Sequence, residues 1–278
     1  MRKEQITSAQ NAKIKDLLAL QEKARLRREK SLFVVEGRRE LGHCLAAGYS
    51  PDTVFYCPEI IGRDFADIFI RAEETLSRIV GPGILQARTL IEVPAFLNDK
   101  VAYRGGTEGV IAEMVCSERT LQDLQLKENP LVVVLESVEK PGNLGAVLRS
   151  ADAAGADAVI VCDPLTDLFN PNLIRSSIGG VFTVQCCAAS SEETIAWLKE
   201  HGIRIFTAQL QDSEWYYDTD MKAGTAIVVG TEATGLTDIW RRAADAHIRI
   251  PMLGQLDSLN ASVSAAILLF EAVRQRNS

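Results

Sequence analysis

The 278-residue sequence predicts a two-domain α/β protein: a larger carboxyl-terminal domain built on a mostly parallel sheet with helices on both faces, and a smaller amino-terminal α/β domain. Three observations carry this. Continuous apolar runs such as LVVVLESV (131–138) lack polar alternation and read as strands covered on both faces. Those runs alternate with helical segments, the pattern of a parallel sheet. The length suits one large or two medium domains, and 47% hydrophobic with 24% charged residues excludes wholesale disorder.

In chain order, residues 10–30 read as one amphipathic helix, with Ile14, Leu17, Leu18 and Leu20 on its apolar side and Lys23, Arg25, Arg27, Arg28 and Lys30 crowding its end. Cations there favour the negative end of the helix dipole, and they equally suit an arm that contacts phosphate. A strand at 31–37, a helix at 38–47, a strand at 52–57, a helix at 64–79 and a strand at 108–115 complete an amino-terminal domain over 1–115. The polar stretch SERTLQDLQLKENP makes 116–130 a linker punctuated by Pro130.

The carboxyl-terminal domain, 131–278, opens on the strand 131–138 and a glycine turn into a helix, PGNLGAVLRSADAAG (141–155). DAVIVC, FTVQCC, IRIFTA, TAIVVG and AHIRIP supply further strands, with helices between them at 172–179, 191–201, 236–244 and 259–275. The last helix is apolar at Val263, Ala266, Ile267, Phe270 and Val273, so it packs on the sheet.

Charge and cysteine usage narrow the function. Thirty basic against 37 acidic residues give a formal net charge of −7, unlike a protein that simply coats nucleic acid. The first 40 residues depart from that average, holding 11 Lys/Arg against 6 Asp/Glu. No run of about 18 apolar residues occurs, so no membrane span is expected, and the start lacks a signal-peptide core, which makes the cytoplasm the expected location. Six cysteines without a CxxC pair read as small buried hydrophobes, and three isolated histidines offer no metal motif; no metal is expected.

Three segments follow strands directly, where ligands bind in open parallel sheets. Asn143-Leu-Gly-Ala-Val-Leu-Arg149 places a permanently charged fork two helical turns beyond a glycine turn, although it equally reads as a plain turn with a surface Arg. Gly230-Thr-Glu-Ala-Thr-Gly-Leu236 sets Glu232 at a strand end, where it would otherwise cap a helix. Ile250 to Asn260 ends in Ser258 and Asn260, both good N-caps, after a short loop able to press main-chain groups on a flat ligand.

In this order and spacing the segments resemble the three motifs of the SpoU (TrmH) family, RNA ribose 2′-O-methyltransferases of the SPOUT superfamily. NPNLIRSSIGGVF (170–182) resembles the family's segment between the first two motifs, and ITSAQNAKIKDL with FVVEGRREL resembles the RNA-binding domain, similar to a ribosomal protein, that many members carry. The resemblance implies S-adenosylmethionine as methyl donor, a deep trefoil knot in the carboxyl-terminal domain, and a homodimer through that domain with the active site at the interface. It implies catalytic roles for Asn143, Arg149, Glu232, Ser258 and Asn260, and donor binding by Gly230, Ile250 and Leu259, with Met252 and Thr207 in the same pocket. RNA contacts fall to Arg25, Arg27, Arg28, Arg38 and Arg175, and ribosomal RNA is the expected substrate ahead of transfer RNA. Lys140 stands where the family often has Asp, and Ala233 where it often has Gly.

Two other readings are weighed. Retention of all five polar motif residues argues against an RNA-binding protein that has lost catalysis. A nicotinamide-dependent oxidoreductase would need a GxGxxG turn after the first strand, which is missing.

Overall fold

A computed structural model of the chain describes residues 2–62, 77–78, 80–103, 108–231, 234–256 and 258–278. Two compact units emerge: Met1–Ser117 together with Phe169–Thr183, and Glu118–Leu168 together with Val184–Ser278.

The first unit is built on a five-stranded sheet. Its strands are β1 (Arg2–Gln5), β2 (Leu32–Glu36), β3 (Pro51–Tyr56), β4 (Thr89–Glu92) and β5 (Val110–Val115), in the order β1-β4-β3-β5-β2. β4 pairs in parallel with β1 and β3, whereas β5 runs antiparallel to β3 and β2. Alternation along β2 sends Val34 to one face and Phe33 to the other. Val34 joins Ile14, Leu17, Leu20, Phe55 and Ile111 in one core. On the other face Phe33 stacks on Phe169 at 4.4 Å and on Phe182 at 5.9 Å, with Tyr49 edge-on.

The single helix expected over 10–30 is two, Ala12–Glu22 and Ala24–Lys30, broken at Lys23, whose backbone is extended. Arg27 sits at the break. It is 4% exposed, and its guanidinium donates to Leu20 O at 2.6 Å and Gln21 O at 3.1 Å, satisfying carbonyls that the first helix leaves open at its end. Strands β1 and β4 and the helix Ala95–Val101 carry no readable pattern in the sequence, because they are short and either wholly polar, as β1 is, or a mixture of polar and apolar residues. The expected helix at 64–79 lies almost wholly outside the described residues.

The second unit carries seven strands: β6 (Leu131–Glu136), β7 (Ala158–Cys162), β8 (Gln185–Ala189), β9 (Arg204–Ala208), β10 (Glu214–Trp215), β11 (Thr225–Val229) and β12 (Ala246–Arg249). Every pairing is parallel, in the order β10-β12-β9-β11-β6-β7-β8. All residues of β6, β7 and β11 are buried, as expected of strands covered on both faces. One face packs Val132, Ile160, Ile205 and Val228 under Trp197, Leu198 and Trp240. Burial pushes the thiols of Cys162 and Cys187 up to about 12, so both stay protonated and behave as core. The helices Pro141–Ala153 and Ala261–Arg276 pack together.

Two expected assignments change here. The stretch 118–130 packs within the second unit: Thr120 caps a short turn, and Leu121 and Leu124 enter the core beside Val132. The strand expected at 182–187 begins later, at Gln185, because Phe182 and Thr183 close the helical turn Gly180–Thr183. Residues 169–183 leave the second unit altogether and complete the aromatic face of the first.

Candidate active site

The carboxyl ends of β6, β11 and β12 in the second unit converge on one loop. β11 runs into Gly230, and a Cβ there would lie 2.4 Å from Gly235 C and 2.5 Å from Gly235 O. Only glycine permits so close a backbone approach. A bridge between Thr231 and Gly235 closes the loop, Gly235 N–H donates to Thr231 O, and Gly235 takes φ +67°. The hydroxyls of Thr231 and Thr234 lie 2.8 Å apart across it.

This loop separates two clefts. The first, of about 360 Å³, lies between the loop, the segment after β12 and the segment after β9. Gly230, Gly235 and Leu236 line one wall, and Ile250, Met252, Ser258 and Leu259 another. Its size is ordinary for a small-molecule site, and its walls mix main chain with apolar side chains. The second cleft, of about 370 Å³, shares Gly230, Thr231, Thr234 and Ala261 and adds Ser137, Val138, Lys140, Asn143 and Leu165. The departure at Lys140 therefore places a cation in the wall beside Asn143.

Asn260 ties two motifs together. Its Oδ1 caps the last helix, accepting from Ser262 N at 3.0 Å, while its Nδ2 donates to Asn143 Oδ1 at 3.2 Å. Six residues along an α-helix is about 9 Å of rise and about 120° of rotation, so Arg149 points elsewhere than Asn143. It is exposed and lines neither cleft. Glu232 lies outside the described residues.

Thr207 does not line the first cleft. Its side chain is fully buried, with its hydroxyl 2.6 Å from His247 Nδ1, and the next residue, Ala208, lines the first cleft instead. The cleft is also lined by residues outside the three motifs: Gln209, Leu210 and Gln211 after β9, and Arg241 and Arg249. The rule that ligands gather at the carboxyl ends of parallel strands would have singled out the stretch after β9. Arg249 stacks its guanidinium 4.2 Å from the ring centre of Trp215.

The arginines of the first unit divide in the structure. Arg27 is a buried cap and is unavailable to a phosphate. Arg25 is exposed and paired with Glu29 at 2.6 Å, and Arg28 is exposed. Arg38 donates to Glu108 O at 3.2 Å. Arg175 lies 3.7 Å from Glu36, whose carboxyl nevertheless stays above its usual range because burial outweighs that cation and the Tyr103 N–H.

The model of the SpoU rRNA Methylase family matches residues 130–270, and that of the MRM3-like substrate binding domain matches residues 11–112. The chain is similar to the 23S rRNA (guanosine(2553)-2′-O)-methyltransferase RlmP of Bacillus subtilis, with 27% identity covering 96% of this chain and 98% of that one. It is also similar to a 23S rRNA (uridine(2479)-2′-O)-methyltransferase of Streptomyces viridochromogenes, with 28% identity covering 97% and 92%. Among solved structures, an AdoMet-bound rRNA methyltransferase from Sinorhizobium meliloti aligns with a TM-score of 0.85 and 28% identity over 98% of both chains.

Proposed function

Since the chain belongs to the SpoU rRNA Methylase family, we propose that it methylates a ribose 2′-hydroxyl of ribosomal RNA with S-adenosylmethionine as donor. The observation that carries this reading is the pair of clefts sharing Gly230, Thr231 and Thr234 as their common wall, a donor site and an acceptor site back to back. Relatives named for guanosine and for uridine in 23S rRNA support ribosomal over transfer RNA. The match of residues 11–112 supports substrate binding by the first unit.

The first cleft fits the donor: Gly230 lets the backbone of Gly235 close against it, Gly230, Gly235 and Leu236 border the cleft, and Met252, Leu236 and Leu259 give apolar walls to a purine. When bound, the donor supplies an already activated methyl group. The chain's own residues then have to hold the ribose in line and stabilise charge as the hydroxyl loses its proton. Asn143, held by Asn260, faces the second cleft and orients the ribose there. A guanidinium is a poor base, so Arg149 serves as phosphate clamp and electrostatic stabiliser.

Arg149 lies away from both clefts of its own chain, which supports a site completed by a second copy. The last helix exposes Val263 and Phe270, seven residues apart and so on one face, and Leu253 and Leu256 before it are exposed as well. A homodimer through this unit covers them. The insertion of β11 between β6 and β9, both earlier in the chain, supports the trefoil knot. A cytoplasmic setting suits an rRNA substrate, and no described helix is long and apolar enough to cross a membrane.

The test is methyl transfer from labelled donor to ribosomal RNA. Arg149→Ala should abolish it with fold and S-adenosylhomocysteine binding intact. Mixing Arg149→Ala with Asn260→Ala chains should restore part of the activity, because a mixed dimer holds one intact composite site. Near-normal turnover by Arg149→Ala sinks its role, and a mixture as inactive as its parents sinks the shared site.

A further inference from the structure

Five of the six residues of β6 are aliphatic, and the sixth is a carboxylate: Glu136, at the strand's carboxyl end, is only 3% exposed. A buried carboxylate is costly unless hydrogen bonds compensate it. Both its oxygens are engaged by one residue. Thr237 N–H donates to Oε2 at 2.9 Å, and Thr237 hydroxyl donates to Oε1 at 2.5 Å. Thr237 is the N-cap of the helix Asp238–Ala243, where a threonine hydroxyl ordinarily accepts from the helix's own first turn. Here the helix has no side-chain cap, because that hydroxyl is turned to Glu136.

The tie fixes the far end of the loop that separates the clefts. Its near end is fixed by β11, whose Val229 pairs with Leu135, so the register brings Gly230 alongside Glu136. Gly235 and Leu236, which line the donor cleft, immediately precede the anchored Thr237. Beyond Glu136 the chain turns sharply, Ser137 taking φ +52°, and Ser137 and Val138 enter the wall of the second cleft.

We infer that Glu136 is a positioning residue for methyl transfer, its carboxylate clamping Thr237 so that Gly235 and Leu236 hold the wall the donor requires. The inference rests on the first cleft being the donor site. It assigns the effect to donor recognition rather than to RNA.

The decisive variant is Thr237→Val, which keeps the backbone N–H and the side-chain shape and removes the hydroxyl. S-adenosylhomocysteine affinity by calorimetry, the KM values for donor and RNA, and the melting temperature are measured on the full chain. Thr237→Val should weaken S-adenosylhomocysteine at least tenfold and raise donor KM in step, with RNA KM unchanged. Thr237→Ser should restore both to within twofold. Glu136→Gln added to Thr237→Val should weaken donor binding by much less than the product of the single effects, because both variants cut one tie. A lowered melting temperature with donor affinity and donor KM unchanged would reduce Glu136 to a stabilising group and overturn the inference. Failure of the wild-type chain itself to bind S-adenosylhomocysteine would instead strike the donor-site reading, so the two failures are separable.

Discussion

At the scale of single residues, neighbours in sequence have different work. Arg27 and Arg28 are adjacent arginines, yet one is buried against carbonyls and the other is in solvent. Arg27→Ala should lower stability by about 2 kcal/mol, the worth of a buried charged hydrogen bond, as read by urea denaturation. Arg28→Ala should leave stability within about 0.5 kcal/mol and reduce the salt slope of RNA binding by roughly 1. Equal effects of the two variants in either measurement would contradict the division. Gly230→Ala drives a Cβ into the Gly235 backbone, which has no flexible end to yield, so donor binding should fall at least tenfold. Asn143 and Asn260 stood out in the sequence by their motifs, but their mutual hydrogen bond did not, because 117 residues separate them.

At the scale of elements, legibility followed burial. The strands β6, β7 and β11 were plain in the sequence because nearly every residue is aliphatic, as strands covered on both faces require. β1 and β10 were not, since their side chains are mostly exposed and leave no pattern. The segment 169–183 was recognisable as a unit, but nothing local told which core would receive Phe169 and Phe182. Truncating that contact, Phe169→Ala should cost about 3–5 kcal/mol in chemical denaturation. β5 adds a pH dependence. Burial above all, helped by Asp52 and Asp16 and opposed by Lys30 and Thr53, lifts the Glu113 carboxyl to about 7. An unfolded glutamate titrates near 4.3. Between those values the folded chain keeps a proton the unfolded chain has released, so stability declines as pH rises from roughly 4.3 through 7. Glu113→Gln should therefore stabilise the protein at pH 8 by about 3 kcal/mol relative to its effect at pH 4. A pH-independent difference between variant and wild type would show that Glu113 does not titrate in this way.

At the scale of the whole molecule, the basic excess of the first 40 residues is less available than its count suggests. Lys13 pairs with Glu4, Lys30 with Asp16 and Arg25 with Glu29, and Arg27 is buried. RNA affinity should accordingly fall only gently with salt, with a log–log slope of about −2 to −4, as for three or four phosphates rather than ten. A much steeper slope would require cations from the second unit. The return of residues 169–183 to the first unit also sets an order of events on the ribosome. The amino-terminal sheet cannot close its aromatic face when Ser117 emerges; Phe182 arrives 65 residues later. At about 5–20 residues per second, that is roughly 3–13 s in which Phe33 waits uncovered. The same threading gives the chain three seams between its units, so a first unit exchanged with a relative's must bring its distant strip with it.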